Sequence, residues 1–184
     1  NFPAFFSALL LLLSSFLLLI IGLLERKGES KHAKYWIILA VGFLLMTFDE
    51  LFSYHEKLVI PVRDLVNQDR LGVFYFAWVI PGIILVVLLG LVFLKFFIKL
   101  PQKTRVLFFL SGLLYLGGAI GIEFVQGYFM EINGLSRLMT LGLIASVEEG
   151  FEMAGAIIFI WSQLSYLSDK YKSVEFKIGG DRRY

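Results

Sequence analysis

Apolar residues in this chain run in blocks of about twenty, the length that crosses a ~30 Å hydrocarbon core. They do not recur at the spacing of a half-buried helix or strand. Five blocks predict five membrane-spanning helices, over residues 2–24, 35–54, 73–98, 104–128 and 138–167. Pro3 and Pro101 mark starts, and the Pro81–Gly82 pair predicts a kink in the third span or a start after Trp78. Between the second and third spans, Leu58, Val62, Leu65 and Val66 recur at helical spacing, with Pro61 as a first-turn residue. Arg63, Asp64, Asn67 and Gln68 fill the other face, which predicts a short interfacial helix over about 61–70. The expected fold is therefore all-α: a single five-helix transmembrane domain over 1–167, followed by a polar, partly ordered cytoplasmic tail over 168–184.

Basic residues orient these spans. Arg26, Lys27, Lys31 and Lys34 occupy the first loop, and Lys95, Lys99, Lys103 and Arg105 flank the third. Lys170, Lys172, Lys177, Arg182 and Arg183 follow the last span, giving thirteen on one side. Lys57, Arg63, Arg70 and Arg137 make four on the other. The positive-inside rule then predicts an outer N-terminus and a cytoplasmic C-terminus, in a bacterial inner membrane. Trp36 and Trp161 are expected at the inner interface and Trp78 at the outer.

Composition adds exclusions. The chain is 58% hydrophobic with a mean hydropathy of +0.79, beyond the usual range of a soluble domain. A net charge of +2 gives no reason to expect nucleic acid as a partner. With no cysteine, disulfides, thiolate chemistry and iron–sulfur clusters are excluded. The first apolar run lacks a basic n-region and exceeds a normal signal-peptide core, so it reads as a span.

Against this background the acids stand out. Asp49, Glu50, Glu123, Glu148, Glu149 and Glu152 lie in or against the second, fourth and fifth spans. In this orientation all fall in the outer half or near the midplane. A charged group at a helix centre costs roughly 2.5–3.5 kcal/mol, so four uncompensated acids would cost on the order of 10 kcal/mol. No Lys or Arg falls in the outer half of a span; only Arg137, Lys57 and Arg63 reach in from outside. A proton, a bound cation, a partner or a water-filled cavity must compensate.

Helical spacing puts Asp49, Ser53 and Glu56 on one stripe and Glu148 and Glu152 on another, with Glu149 one turn from Glu152. Glu123 and Gln126 pair at i, i+3. His55 lies about 240° around an unbroken helix from Asp49, so it either serves the rim separately or the helix ends before it. The expected ligand set for a divalent metal is Asp49, Glu123, Glu148, Glu149 and Glu152. Glu50, Ser53, His55, Glu56, Gln126 and Arg137 are expected at the rim. Gly117 and Gly121, and Gly150 and Ala154, predict close helix contacts nearby. The Leu-rich first span, which carries no acid, is expected to face lipid.

Three functions fit. The first is a metal or cation site resembling carboxylate-bridged di-metal chemistry, used on a lipid or quinone-like substrate if catalytic. The second is a non-catalytic subunit whose acids meet partner membrane subunits, and the third is proton or cation transport. Haem ligation is not expected, because His32 and His55 are the only histidines and lie at opposite ends. The same shortage sets the chain apart from membrane hydrolases of the ceramidase and adiponectin-receptor type. Residues 48–56, Phe-Asp-Glu-Leu-Phe-Ser-Tyr-His-Glu, resemble an Asp-Glu-x-x-Ser-x-His-Glu motif of uncharacterised bacterial multipass proteins. That resemblance extends to Glu123 and Glu148–Glu149. It names no activity and implies that these acids act together.

Overall fold

The computed structural model describes residues 2–67 and 71–171. Among them every regular element is helical. The α-helices are α1 (Phe2–Lys27), α2 (Ala33–Phe52), α3 (Tyr54–Lys57), α4 (Val59–Val66), α5 (Val79–Ile98), α6 (Gln102–Leu116), α7 (Glu123–Asn133) and α8 (Leu138–Lys170). Four segments are long and apolar enough to cross a membrane: α1, α2, α5 and the continuous helical run Gln102–Lys170. Within that run a π-helical stretch, Gly117–Ile122, joins α6 to α7. Gly134, at φ 54 and ψ −145, a conformation open only to glycine, turns the chain into α8.

Helix α1 is the most enclosed helix of the bundle, contrary to the expectation that it faces lipid. Ser7, Leu11, Ser14, Leu18, Ile21 and Glu25 repeat at alternating fours and threes along its buried face. They pack against α2 and α8. Small residues make the approach close. A Cβ at Gly22 would lie 2.7 Å from Ile37 Cγ1, and Ser15 Oγ donates to the Ala40 carbonyl at 2.7 Å. Counting leucines misled because the buried stripe itself carries the serines that let backbones approach.

Trp36 centres the core and is fully buried. Its indole meets Phe96, Phe108 and Tyr166 at ring distances of 5.2, 5.9 and 4.9 Å. Phe43 stacks on Phe159 at 4.6 Å. Of the three tryptophans expected in interfacial belts, only Trp161 faces outward. This aromatic core lies toward the end of the bundle that holds Glu25, and the acids gather toward the other.

Helix α5 begins at Val79, directly after Trp78, with Pro81 in its first turn where no intrahelical N–H is needed. Over residues 84–92 every side except Val86 faces outward, so α5 touches the bundle mainly near its ends. The short helix expected between the second and third spans is α4, which starts before Pro61 and ends at Val66, where Asn67 adopts φ 51. Gln68 and Arg70 lie outside the described residues. Helix α8 continues to Lys170, past the expected end of the fifth span, and residues 172–184 of the expected tail also lie outside the description.

Candidate functional site: a carboxylate cluster at the His55 end

Helix α2 carries Asp49 and Glu50 in its last turn and stops at Phe52. Ser53 adopts the left-handed conformation, φ 47 and ψ 49, ending one helix before α3 begins at Tyr54. This break answers the geometric difficulty posed by His55. The chain folds back so that the His55 backbone N–H donates to Asp49 Oδ1 at 2.9 Å. The His55 Nδ1 lies 2.7 Å from Asp49 Oδ2. Asp49, Ser53 and Glu56 therefore do not form one stripe. Glu56 is exposed on α3, and Ser53 is a hinge with no side-chain hydrogen bond.

His55 lies outside the long apolar helices. Burial would lower its basicity, but the Asp49 hydrogen bond and charge outweigh that, helped by Glu56 and Glu123. The imidazole is held above its ordinary value as a result.

Trp78 closes the opposite wall. Its ring lies 4.7 Å from that of His55, and its Nε1–H donates to Glu123 Oε1 at 2.9 Å. Gly82 makes room for the indole, since a Cβ there would sit 3.1 Å from Trp78 Cζ3. Sequence reasoning placed Trp78 at the interface and missed it as a site residue. The available signal was an indole N–H, which seeks an acceptor when buried, at the start of an apolar helix level with Glu123.

The π-helical stretch directly precedes Glu123. Its wider turns shift the register of α7 relative to α6, and such insertions recur at functional sites. Glycines at 117, 118 and 121 permit the distortion. Close packing falls one residue away from the predicted small-residue pairs. Gly117, Gly121 and Gly150 have no neighbour within 4 Å of an added Cβ. At Gly118 the Cβ would meet the Glu148 carbonyl at 2.9 Å and Glu152 Cγ at 3.0 Å. Gly118 thus seats the acidic turn of α8 against this stretch.

Glu123 and Glu148 lie close enough for their carboxyl groups to interact. Gln126 donates from Nε2 to Glu148 Oε2. Glu152 interacts electrostatically with Glu50, His55, Glu123 and Glu149, and Glu149 also with Glu148. Tyr115 lies within range of Asp49, Glu50 and Glu152. The fold thus brings Asp49, Glu50, His55, Glu123, Gln126, Glu148, Glu149 and Glu152 into one region. Arg137, in the turn Gly134–Arg137, is exposed and forms no ion pair with a described acid. Among the described residues, no three His, Asp or Glu side chains are arranged as a ready-made metal-binding group. His55 is the cationic partner of Asp49, and no Lys or Arg pairs with Asp49, Glu123, Glu148 or Glu152 among the described residues.

A family model described as "Domain of unknown function (DUF8692)" matches residues 1–167, and the chain belongs to that family. No curated protein matches it. No solved structure matches it either.

Proposed function

We propose that this DUF8692 member is a five-span integral membrane protein, N-terminus outside, whose outer-half carboxylate cluster takes up a cation. The run Gln102–Lys170 supplies two spans in this reading, because Gly134 reverses it. The observation that carries the proposal is the Glu123–Glu148 pair. Two carboxyl groups interact there; Trp78 donates to Glu123 and Gln126 to Glu148, and neither acid pairs with a Lys or Arg among the described residues. Two carboxylates ~4 Å apart repel by about 4 kcal/mol at an effective dielectric of ~20. Positive charge between them, as a proton or a metal ion, removes that repulsion. Glu149 and Glu152 supply further oxygens for a divalent ion, the hard-cation chemistry that carboxylates favour.

Elemental analysis of protein purified without chelator, paired with thermal unfolding at rising Mg2+, Ca2+, Mn2+ or Zn2+, tests the metal form. A bound ion at 100 times its Kd stabilises by about 2.7 kcal/mol. Glu123→Gln and Glu152→Gln should abolish the gain. If no stoichiometric metal is found, and both variants match wild type in stability at every pH, the cation reading fails.

A second reading, as a subunit of a larger membrane complex, is favoured by α5, whose middle is open on all sides. Purification of the chain from its native membrane as a lone monomer would refute it.

A further inference from the structure

At the end of the bundle opposite the acids lies a cavity of about 400 Å³. His32, which lines it, precedes Asp49 by seventeen residues, about 25 Å of helix. Its apolar wall is Trp36, Phe96, Leu100 and Pro101. Its polar wall combines groups from the ends of several helices. Two of these are acids, and both are already answered. Glu25, 2% exposed, accepts from Tyr166 at 2.7 Å, from Tyr171 at 3.0 Å and from Lys170. Asp169 pairs with Lys103 at 3.1 Å.

Lys170 is taken by Glu25 and Ser30 Oγ accepts from the His32 N–H at 3.2 Å, which leaves Lys99, Thr104 and His32 Nδ1. The ammonium of Lys99 lines the cavity and makes no hydrogen bond or ion pair with a described residue. Thr104 is 3% exposed, lines the cavity, and its hydroxyl has no partner among the described residues. His32 Nδ1 is buried and also unpartnered. Two of these can donate outright and the third can when protonated, and they sit beside a surface formed by Trp36 and Phe96. Of these, His32 Nδ1 is the buried atom without a partner, which is costly to leave unpaired, and the Lys99 ammonium supplies the charge, so an acceptor-rich occupant is favoured.

We propose that this cavity binds a phosphate-type anion, carried by a lipid headgroup or free in solution, through Lys99, Thr104 and His32. The site lies where α1, α5 and α8 end and α2 and α6 begin, which is headgroup depth if these helices span. The apolar wall suits the glycerol and first methylenes of a lipid. It is independent of the acid cluster.

The test uses the full chain, delipidated in a neutral detergent, with binding read by native mass spectrometry. Three probes are compared: dihexanoyl phosphatidic acid, dihexanoylglycerol and inorganic phosphate. Phosphatidic acid should bind wild type, and Lys99→Gln should weaken it about tenfold or more, as expected for a lost charge-assisted bond. Thr104→Val, which keeps shape and removes the hydroxyl, should weaken it several-fold. Lys95→Gln, on the same helix but outside the cavity, should bind as wild type. Should inorganic phosphate bind as tightly as phosphatidic acid, the site stands with a soluble ligand as its source. Equal binding of dihexanoylglycerol and phosphatidic acid, no binding of either anion, or unchanged affinity in both Lys99→Gln and Thr104→Val overturns the proposal. Lys99 is exposed and contacts no acid, so Lys99→Gln is expected to fold; an unchanged unfolding curve verifies this.

Discussion

Gly155→Ala should destabilise the bundle, while Gly150→Ala, five residues away on the same helix, should not. An added methyl at Gly155 would meet the Tyr115 backbone nitrogen at 2.7 Å, the Ser111 carbonyl oxygen at 2.9 Å and Tyr115 Cβ at 2.9 Å. Two of these are main-chain atoms of α6, which cannot swing aside. Inserting a methyl into such a contact costs about 1–3 kcal/mol. Separation of α6 from α8 would also lengthen the bond from Ser111 Oγ to the Gly155 carbonyl, now 2.9 Å, a loss of up to about 1 kcal/mol. Helix propensity returns about 0.5–1 kcal/mol to any Gly→Ala change in a helix interior. The net for Gly155→Ala is a loss of about 2 kcal/mol at the middle of these ranges, and at most about 3.5. Nothing lies within 4 Å of a Cβ at Gly150, so propensity acts alone there and the expected change is a gain of up to about 1 kcal/mol. Equilibrium unfolding by SDS titration in mixed micelles, followed by circular dichroism, measures both. Equal stability of Gly155→Ala and wild type, or a loss at Gly150 as large as at Gly155, would refute the assigned helix faces.

The His55–Asp49 contact carries a pH signature. The folded-state pKa of His55 is raised above an ordinary ~6.5. The stabilisation is therefore fully present below that value and is lost as pH rises through the folded-state pKa. Unfolding free energy measured from pH 6 to 9 should fall in wild type, and Asp49→Asn should flatten that part of the profile. Trp78→Phe keeps a ring beside His55 but removes the donor to Glu123, and should cost about 0.5–3 kcal/mol, the range from a neutral to a charged acceptor; loss of thermal stability checks it. Gln163 is fully buried in α8 and neither its oxygen nor its nitrogen has a partner. Gln163→Leu should leave stability unchanged or raise it by about 1–3 kcal/mol in the same SDS titration.

Much of the fold could be read from the sequence because length and apolarity decide whether a segment is helical here, independent of its neighbours. The gathering of acids on α2, α7 and α8 followed from their spacing for the same reason. What escaped depends on backbone detail. The left-handed Ser53, which returns His55 to Asp49, has no strong marker, since serine rarely adopts that conformation. The π-helical stretch moved the packing glycine from Gly117 to Gly118, and a one-residue insertion shifts every face after it. Which face of α1 is buried depended on partners more than a hundred residues downstream.

Those partners bear on how the chain assembles. Helix α1 is long and apolar enough to cross a membrane, yet its Glu25 finds donors in Tyr166, Lys170 and Tyr171, residues 141 to 146 positions later. Leu18 likewise belongs to a buried cluster that includes Phe159 and Tyr166 of α8. Packing of α1 on α2 is local in the chain, whereas its polar end is satisfied only with α8 in place. The Glu25 cluster is thus a clasp that holds the end of α1 to the end of α8 across most of the described chain.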